Sequence, residues 1–535
     1  MKAIIPILAF LLSATFPAHA GQFGLFTYKV TDGEITITDY PEDATGHVEI
    51  PAEIEGLLVT TIGGSPTRWG WDRAFSGCTE LTSVSIPGSV RRIRQAFVGC
   101  SGLTEVFFAE GLTSIGSGAF RGCTSLTKVS IPSSIIHISL EEPHFTGGTE
   151  YAFTDCTQLA EILVAADNPN YSSVDGVLFD AEIETLLSFP KGKAGDYTVP
   201  EGVTTIRDSA FSGNTKLTSI SLPSSVTNLR SGWQFFGYSL TSIVVDPENT
   251  SFSSANGVLF NAEMTNLLRF PEGKPGSYAI PEGVVNIDYG AFSDCSKLTS
   301  ITLPSGLTRI RDGAFYNCSR LSKISIPSSV TSLGEGSFGN CSALESILIP
   351  ASATTIESYA WAYFESLTSA VFLGDSPLYD PFESLADTTA FTIYYLSSST
   401  GFTSPTWNGY RTVMLDEVTY PAAPWLVFHG FPQDTDLNQD LNGDGVSLLM
   451  AYALNLDLTQ DLSSSLPRPI LDGNGLSLRF HAGASGITYS VETSTDLQHW
   501  TRDGVSLVDS GDPQRRRASV EVGAGGARFL RLVVG

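Results

Sequence analysis

The residues of this chain best suited to chemistry are a short run of oxygen-bearing side chains near position 440. Asp440, Asn442 and Asp444 alternate along the sequence and are followed by Gly445. Alternating carboxylate and amide oxygens closed by a glycine turn form the first half of a calcium-binding loop. Weak calcium binding is therefore one interpretation of this run.

The second half of such a loop is missing here. Position 9 of the loop is Leu448, and position 12, where a bidentate glutamate is expected, is Ala451. The nearest oxygens that could complete a site belong to Asp434, Asp436 and Asn438. The alternative interpretation is an Asx-rich loop that leads into a helix, and no cofactor other than calcium is predicted.

Catalytic chemistry finds little support in the sequence. The 7 histidines form no HExxH or other metal-ligand spacing, and no GxSxG sequence stands at a strand-to-helix turn. Acid pairs can be picked out of 56 carboxylates, but the pattern described below offers no deep pocket to hold one. The chain is predicted not to be an enzyme.

The 7 cysteines share one position in a repeated pattern: each stands three residues after the phenylalanine of an Ala-Phe or Ser-Phe pair. Asn214 and Tyr238 stand at the same position in two other repeats, so no thiol chemistry is required there. No CxxC sequence is present, and buried free thiols are favoured over disulfides or a metal site. The cysteines of this row are Cys78, Cys100, Cys123, Cys156, Cys295, Cys318 and Cys341.

The elements that position these residues follow from a repeat that is clearest between Ala291 and Pro350. Apolar residues recur at +3, +6, +8, +12 and +15 from each cysteine, with proline at +9, and the period is 23 residues. A fixed period of this length is the signature of a solenoid. The matching phenylalanines are Phe75, Phe97, Phe120, Phe153, Phe211, Phe292, Phe315 and Phe338.

Each repeat is predicted to form one flattened coil that cannot fold alone. Residues near +6 and +8 alternate at the strand period, and the proline ends that strand because it cannot donate to a ladder. Roughly seven inward side chains at roughly 1.5–3 kcal/mol each do not offset roughly 1–2 kcal/mol of backbone ordering per residue. The coils must therefore stack.

The repeat residues resemble the BspA-like bacterial leucine-rich repeat. The Ala-Phe pair, the cysteine, and the Leu, Ile and Ile/Leu-Pro positions stay in register over several copies. The resemblance implies a leucine-rich-repeat solenoid used for binding, usually at a cell surface, and it does not imply an enzyme. The run beginning at Asp440 is similar to EF-hand, dockerin and thrombospondin type 3 loops, but a dockerin carries two such loops and this chain has one.

Composition and charge exclude several classes of partner. The formal net charge is −26, which argues against nucleic acid and against adsorption to an anionic membrane. No stretch after the N-terminus reaches the length of a transmembrane span. Residues 1–20 have Lys2, an apolar run and Ala18-His19-Ala20, the pattern of a secretory signal peptide. The chain is therefore predicted to be secreted or displayed at the cell surface.

We predict a mainly β fold of consecutive segments. Residues 21–62 form an N-terminal cap, and residues 63–375 form the solenoid, with two expanded repeats near 167–206 and 248–287 that are offset by 81 positions. A C-terminal cap spans 376–419, a helical segment with the calcium-like loop spans 420–465, and a small β-sandwich-like module spans 466–535.

Binding is predicted at aromatic residues in the irregular loops of the solenoid. The exposed strand residues are small, neutral and hydroxyl-rich, whereas recognition draws its energy from aromatic and arginine anchors. The candidates are Trp69, Trp71, His144, Phe145, Tyr151 and Trp233. The predicted function is non-catalytic, adhesin-like recognition of an extracellular protein or glycan; the alternative is a spacer rod that presents or attaches the C-terminal β module.

Overall fold

The computed structural model confirms a mainly β chain. About 38% of the chain is in strands and 3% in helices, arranged as a β-solenoid of about 15 turns. The structure describes residues 19–535 except 65, 68–69, 72, 140–151, 209, 230–238, 363, 378–390, 420, 441–445, 455, 457–465, 469, 473–474, 483, 485–486, 496–497, 510–514, 522–528 and 535.

The described chain forms two compact units. The first comprises residues 1–299, 310–319 and 336–338, and the second comprises residues 300–309, 320–335 and 339–535. The strands up to residue 287 are β1 His19–Phe23, β2 Phe26–Thr31, β3 Glu34–Asp39, β4 Gly46–Glu49, β5 Glu53–Ile54, β6 Leu57–Ile62, β7 Pro66–Thr67, β8 Gly70–Trp71, β9 Leu81–Ile86, β10 Arg92–Ile93, β11 Glu105–Phe108, β12 Ser114–Ile115, β13 Lys128–Ile131, β14 His137–Ile138, β15 Glu161–Val164, β16 Tyr171–Val174, β17 Val177–Asp180, β18 Thr185–Ser188, β19 Gly195–Thr198, β20 Thr205–Ile206, β21 Leu217–Leu222, β22 Asn228–Leu229, β23 Ser242–Val245, β24 Phe252–Ala255, β25 Val258–Asn261, β26 Asn266–Arg269, β27 Gly276–Ala279 and β28 Asn286–Ile287.

The remaining elements continue the solenoid and then change character. They are β29 Leu298–Thr302, β30 Arg309–Ile310, β31 Lys323–Ser325, β32 Ser332–Leu333, β33 Ser346–Ile349, β34 Thr355–Ile356, β35 Ser369–Phe372, β36 Thr392–Leu396, β37 Thr406–Trp407, β38 Tyr410–Leu415, α1 Ala423–Phe428, α2 Leu448–Leu454, β39 Ile470–Asp472, β40 Gly475–His481, β41 Tyr489–Ser494, β42 Ser506–Asp509, β43 Arg515–Glu521 and β44 Phe529–Val534.

A regular coil contains two parallel strands that pair with the same strands of its neighbours. In the coil that holds β11 and β12, Val106 pairs with Val84 and Ile115 pairs with Ile93. The inward residues of this coil are almost completely buried. Equivalent apolar side chains of successive coils therefore lie next to each other, as the 23-residue period predicts.

The phenylalanines form a file inside the first unit. The ring centroids of Phe75 and Phe97 are 4.8 Å apart, and those of Phe97 and Phe120 are 5.2 Å apart with nearly parallel planes. Phe292 and Phe315 repeat the 4.8 Å spacing. These spacings match the separation of hydrogen-bonded strands, so one ring per coil stacks without distortion.

The cysteines form a second file beside the rings. All seven are buried, and none of them forms a disulfide. Five of the thiols donate to the carbonyl oxygen of a phenylalanine in the preceding coil, as Cys100 does to Phe75 at 2.9 Å and Cys123 to Phe97 at 3.2 Å, whereas Cys78 donates to the Pro41 carbonyl oxygen at 3.4 Å. Each of these thiols thus satisfies a buried carbonyl group and helps to set the register between coils.

The two expanded coils each add an antiparallel hairpin, β16–β17 and β24–β25. The hairpins lie at two of the places where the parallel strands of one face divide into shorter sheets, after β15 and after β23; a further division lies between β11 and β13. In the first unit this face comprises β4-β9-β11, then β13-β15, then β19-β21-β23, and it starts again at β27.

The chain after the regular coils stays in the second unit. β36 and β38 extend the parallel sheet beyond β35, and β37 turns back antiparallel to β38. Two short helices follow, and the last six strands form a sheet β39-β40-β43-β42 and a pair β41-β44 over an apolar cluster that includes Leu478, Val491 and Ala518. Within the described part of the chain, no helix has the length and apolar character needed to cross a membrane.

Candidate binding surface

Most of the sequence-predicted ligand residues lie outside the described residues. This holds for Trp69, His144, Phe145, Tyr151 and Trp233. Trp71 lies in β8, where it pairs with Pro66 of β7 in a two-stranded hairpin. Binding at these aromatic residues stays a prediction.

The outward face of the parallel strands is the surface that the structure describes best. In β9 the residues Leu81, Val84 and Ile86 point into the core, while Ser83 and Ser85 point outward. His47 of the neighbouring strand β4 contacts both serines, with Nδ1 2.8 Å from one hydroxyl and Nε2 3.2 Å from the other. This end of the face is polar and hydrogen-bonded across strands.

An exposed phenylalanine interrupts the hydroxyl-rich face in the first unit. Phe107 of β11 pairs with Ser85 and is 52% exposed. Lys128 in the next coil and Glu161 in the one after it form a surface ion pair at 3.7 Å. Sequence reasoning missed Phe107 because the inward apolar positions of its strand follow the repeat normally, although its own position is serine in four other coils.

In the second unit the same face is apolar and covered. Leu348, Val371 and Tyr394 occupy one outward row of β33, β35 and β36. Helix α1 packs on this row through Val427 and Phe428, and Val371 is completely buried.

A hydrogen bond fixes the helix on the strands. The Ser346 hydroxyl donates to the Phe428 carbonyl oxygen at 2.8 Å. The face of the solenoid therefore holds a polypeptide segment in this unit.

A second cluster of anchors lies at the corner that contains the Ala-Phe pairs. The Arg311 guanidinium lies 4.7 Å from the centre of the Tyr289 ring and 3.2 Å from Asp288. Tyr289 and Tyr316 are both exposed. In the sequence, the predicted loop aromatics precede the phenylalanine position of other repeats, and Tyr289 and Arg311 precede it in two regular repeats.

The calcium-like loop is described only in part. Asp436 and Asp440 are described, whereas Asn442 and Asp444 lie outside the described residues. One Asp436 carboxylate oxygen accepts hydrogen bonds from the amide and the side chain of Asn438, both at 3.0 Å. In the described part of the chain, no group of three acidic, histidine or cysteine side chains could hold a metal. Calcium binding stays a prediction.

The buried thiols are poorly suited to nucleophilic chemistry. Burial raises the pKa of Cys156 to about 12, and it also raises the pKa of Cys295 well above its ordinary value. Because the thiolate is the nucleophile, such thiols are unreactive at neutral pH. These thiols therefore serve packing inside the coils.

These features define a leucine-rich-repeat solenoid: two parallel strands in each coil, stacked phenylalanines, and a small buried hydrogen-bond donor such as a cysteine thiol. Residues 71–179, 187–273 and 269–376 match the BspA type leucine-rich repeat region in 6 copies. Because these matches cover more than half of the chain, the protein belongs to this family.

Solved structures with a similar fold come from several bacteria. The chain is 19% identical to the pneumococcal vaccine antigen PcpA, covering 74% of this chain and 99% of that one, with a TM-score of 0.41. It is 22% identical to a leucine-rich cell surface protein from Faecalibacterium prausnitzii, covering 79% of this chain and 100% of that one, with a TM-score of 0.39. No curated protein sequence matches the chain.

Proposed function

We propose that this protein is a non-catalytic recognition protein that binds an extracellular protein or glycan through its solenoid. The observation that carries the proposal is the packing of helix α1 on the outward strand face of the second unit. A surface that holds one polypeptide segment through a row of apolar side chains has the chemistry to hold another. In the first unit the exposed Phe107 occupies the equivalent row.

The proposed location is the cell surface or the extracellular medium. The N-terminal signal-peptide pattern supports it, as does membership of the BspA-type family. Strand β1 begins at His19, and all its residues from His19 to Phe23 pair with β2. Cleavage after Ala20 would leave Gly21, Gln22 and Phe23 to maintain this pairing.

The spacer function is the second candidate, and helix α1 also favours it. The same Ser346–Phe428 hydrogen bond and apolar contacts attach the start of the C-terminal segment to strands of the second unit. A rigid attachment of this kind would suit a solenoid that presents its tail.

Binding of the full chain to arrays of glycans and extracellular proteins separates the two functions. We expect the Trp69→Ala/Trp71→Ala variant or the Phe107→Ser variant to lose binding at least about tenfold, because aromatic anchors dominate recognition energies. The control is Leu507→Ser, which removes an exposed apolar side chain from the C-terminal module. Loss of binding in the control alone would favour the spacer function.

A further inference from the structure

Two breaks in the parallel face of the first unit are built in the same way. At the first, the Ile162 amide donates to the Gly176 carbonyl oxygen at 2.8 Å, and the Val164 amide donates to the Ser173 hydroxyl at 2.9 Å. The hairpin therefore accepts the outward amide hydrogen bonds of β15, the last strand before this break.

The second break repeats these bonds 81 residues later. The Ile243 amide donates to the Gly257 carbonyl oxygen and the Val245 amide donates to the Ser254 hydroxyl, both at 2.9 Å. The two breaks are thus a matched pair within one chain.

The strand that follows each break keeps an unpaired edge. In β19, the amides of Gly195 and Val199 donate toward β21, to the carbonyl oxygens of Lys216 and Ser221, both at 3.0 Å. Because successive residues of a strand direct their N–H and C=O groups to opposite sides, the backbone groups of Asp196 and Thr198 face away from β21, toward the break. Among the described strands, β19 pairs only with β21. Such an edge is a template for another strand.

A cleft of about 620 Å³ borders this edge. Glu161 and the Asp175–Gly176 turn line one side, and Asp196 and Thr198 line the other. A hydrogen bond joins the segments that lead into β15 and β19, because the Gly192 amide donates to the Leu159 carbonyl oxygen at 2.7 Å. A Cβ atom added at Gly192 would lie only 2.3 Å from the carbonyl carbon of Gln158.

The cleft carries carboxylates that the fold does not need. Glu161, Asp175 and Asp196 correspond to Ser242, Asn256 and Ser277 at the second break, which forms the same hairpin and strands. Glu161 is paired with Lys128 and Asp196 accepts a hydrogen bond from the Thr218 hydroxyl at 2.8 Å. The cation of Lys193 donates to the Asp175 carbonyl oxygen at 2.7 Å rather than to a carboxylate. The cleft therefore has an excess of negative charge beside free backbone groups.

We propose that this cleft binds an extended, basic polypeptide segment. The segment adds a short strand to the outer edge of β19 and places lysine or arginine side chains beside Glu161, Asp175 and Asp196. This recognition mode combines backbone hydrogen bonds for affinity with side-chain contacts for specificity. It deepens the proposed function by naming one site and its partner class.

The first test measures binding of a decapeptide of alternating lysine and threonine to the full chain by calorimetry at low salt. We expect the Glu161→Ser/Asp175→Asn/Asp196→Ser variant, which copies the second break, to bind at least about tenfold more weakly than the unaltered chain. The control Glu53→Ser/Glu182→Ser/Glu248→Ser removes the same charge from exposed positions. Equal weakening of both variants, or no binding by the unaltered chain, would overturn the proposal.

The second test separates strand addition from general attraction. Thr198→Pro removes an outward amide from β19, and Ala279→Pro makes the matched change at the second break; an edge strand tolerates proline on its outward side. We expect only Thr198→Pro to weaken binding, with similar thermal stability of the two variants. A peptide methylated on alternate backbone amides should also lose binding. Strand addition is contradicted if the Thr198→Pro variant and the methylated peptide both retain full affinity.

These tests are independent of the array experiment. Peptide binding that survives Phe107→Ser and Trp69→Ala/Trp71→Ala but weakens in Glu161→Ser/Asp175→Asn/Asp196→Ser places the peptide at the cleft, even if the arrays give no ligand. Array binding without peptide binding overturns the cleft alone.

Discussion

At the scale of single residues, the cysteine position selects a small buried donor. Asn214 stands at this position in the coil that follows the first expanded coil, and its amide donates to the carbonyl oxygens of Pro190 and Lys193, both at 2.8 Å. Its side-chain oxygen accepts from the amides of Lys216 and Leu217. A thiol and an amide therefore perform the same structural task, which is to pair with backbone groups that the turn leaves buried.

We expect all seven thiols to be unreactive in the native protein and reactive after unfolding. Burial raises the pKa of Cys156 to about 12, so its thiolate is scarce near pH 8. Titration with a thiol reagent at pH 8, with and without denaturant, measures both states. The Cys156→Asn variant, which copies the Asn214 position, should count one fewer thiol when denatured. Rapid modification of the native protein would contradict this expectation.

The sequence predicts the phenylalanine and cysteine positions because their spacing is regular, but it does not predict the buried ion pair. Arg269 and Glu272 are almost completely buried and bonded to each other, and Arg269 also donates to the Gly290 carbonyl oxygen. In the first expanded coil these positions are Ser188 and Lys191. A charged pair that occurs in one copy leaves no periodic signal, so only its surroundings in three dimensions reveal it.

At the scale of elements, helix α1 shows both the reach and the limit of sequence reasoning. Its apolar run predicts a short helix, and Pro424 lies in its first turn, where a missing amide costs nothing. Its docking place is not evident, because Leu348 and Val371 read as ordinary strand residues. The signal that could have found it is the nearly continuous apolar sequence of β33 and β35, which is typical of strands buried on both faces.

We expect Val427→Asp to release helix α1 from the strands. A six-residue helix is not stable alone, and losing the burial of this valine removes about 2 kcal/mol while adding a charge at an apolar contact. Hydrogen exchange of residues 423–428 should become fast, and a dye that binds apolar surface should fluoresce more strongly as Val371 becomes accessible.

The matched control for helix release is Met414→Asp, which places the same charge on an exposed position of β38. It should leave exchange in the helix unchanged. Full protection of the helix in Val427→Asp would show that the apolar contacts do not hold it.

At the scale of the whole molecule, the period predicts stacked coils but not their partition. The described chain forms two compact units whose boundaries interleave between residues 299 and 339. Nothing in the local sequence marks this place, because Phe292, Phe315 and Phe338 are spaced identically through it. Where neighbouring coils are nearly equivalent, stability depends on sums of contacts that no single motif represents.

We expect deletion of residues 97–119, one full period, to leave a folded protein. The deletion joins Ala96 to Phe120, so that each remaining coil meets an equivalent neighbour, and stability should fall only by the contribution of one coil. Circular dichroism and thermal unfolding measure the result. Deletion of residues 97–108 removes about half a period, and this variant should lose its strand signal. An equal loss of strand signal and thermal stability in the two deletions would contradict a stack in which equivalent positions of neighbouring coils pair.

The hairpin turns at the two breaks have a consequence for solubility. By occupying the amides of Ile162 and Val164, the first turn leaves β15 without a donor row that another molecule could join, and the second turn does the same for β23. Without these turns, the two breaks would expose four unpaired strand edges, two at each break, and each edge could start fibrous aggregation. Because the chain itself closes one edge at each of these breaks, each further copy of the expanded coil would add one open strand edge rather than two.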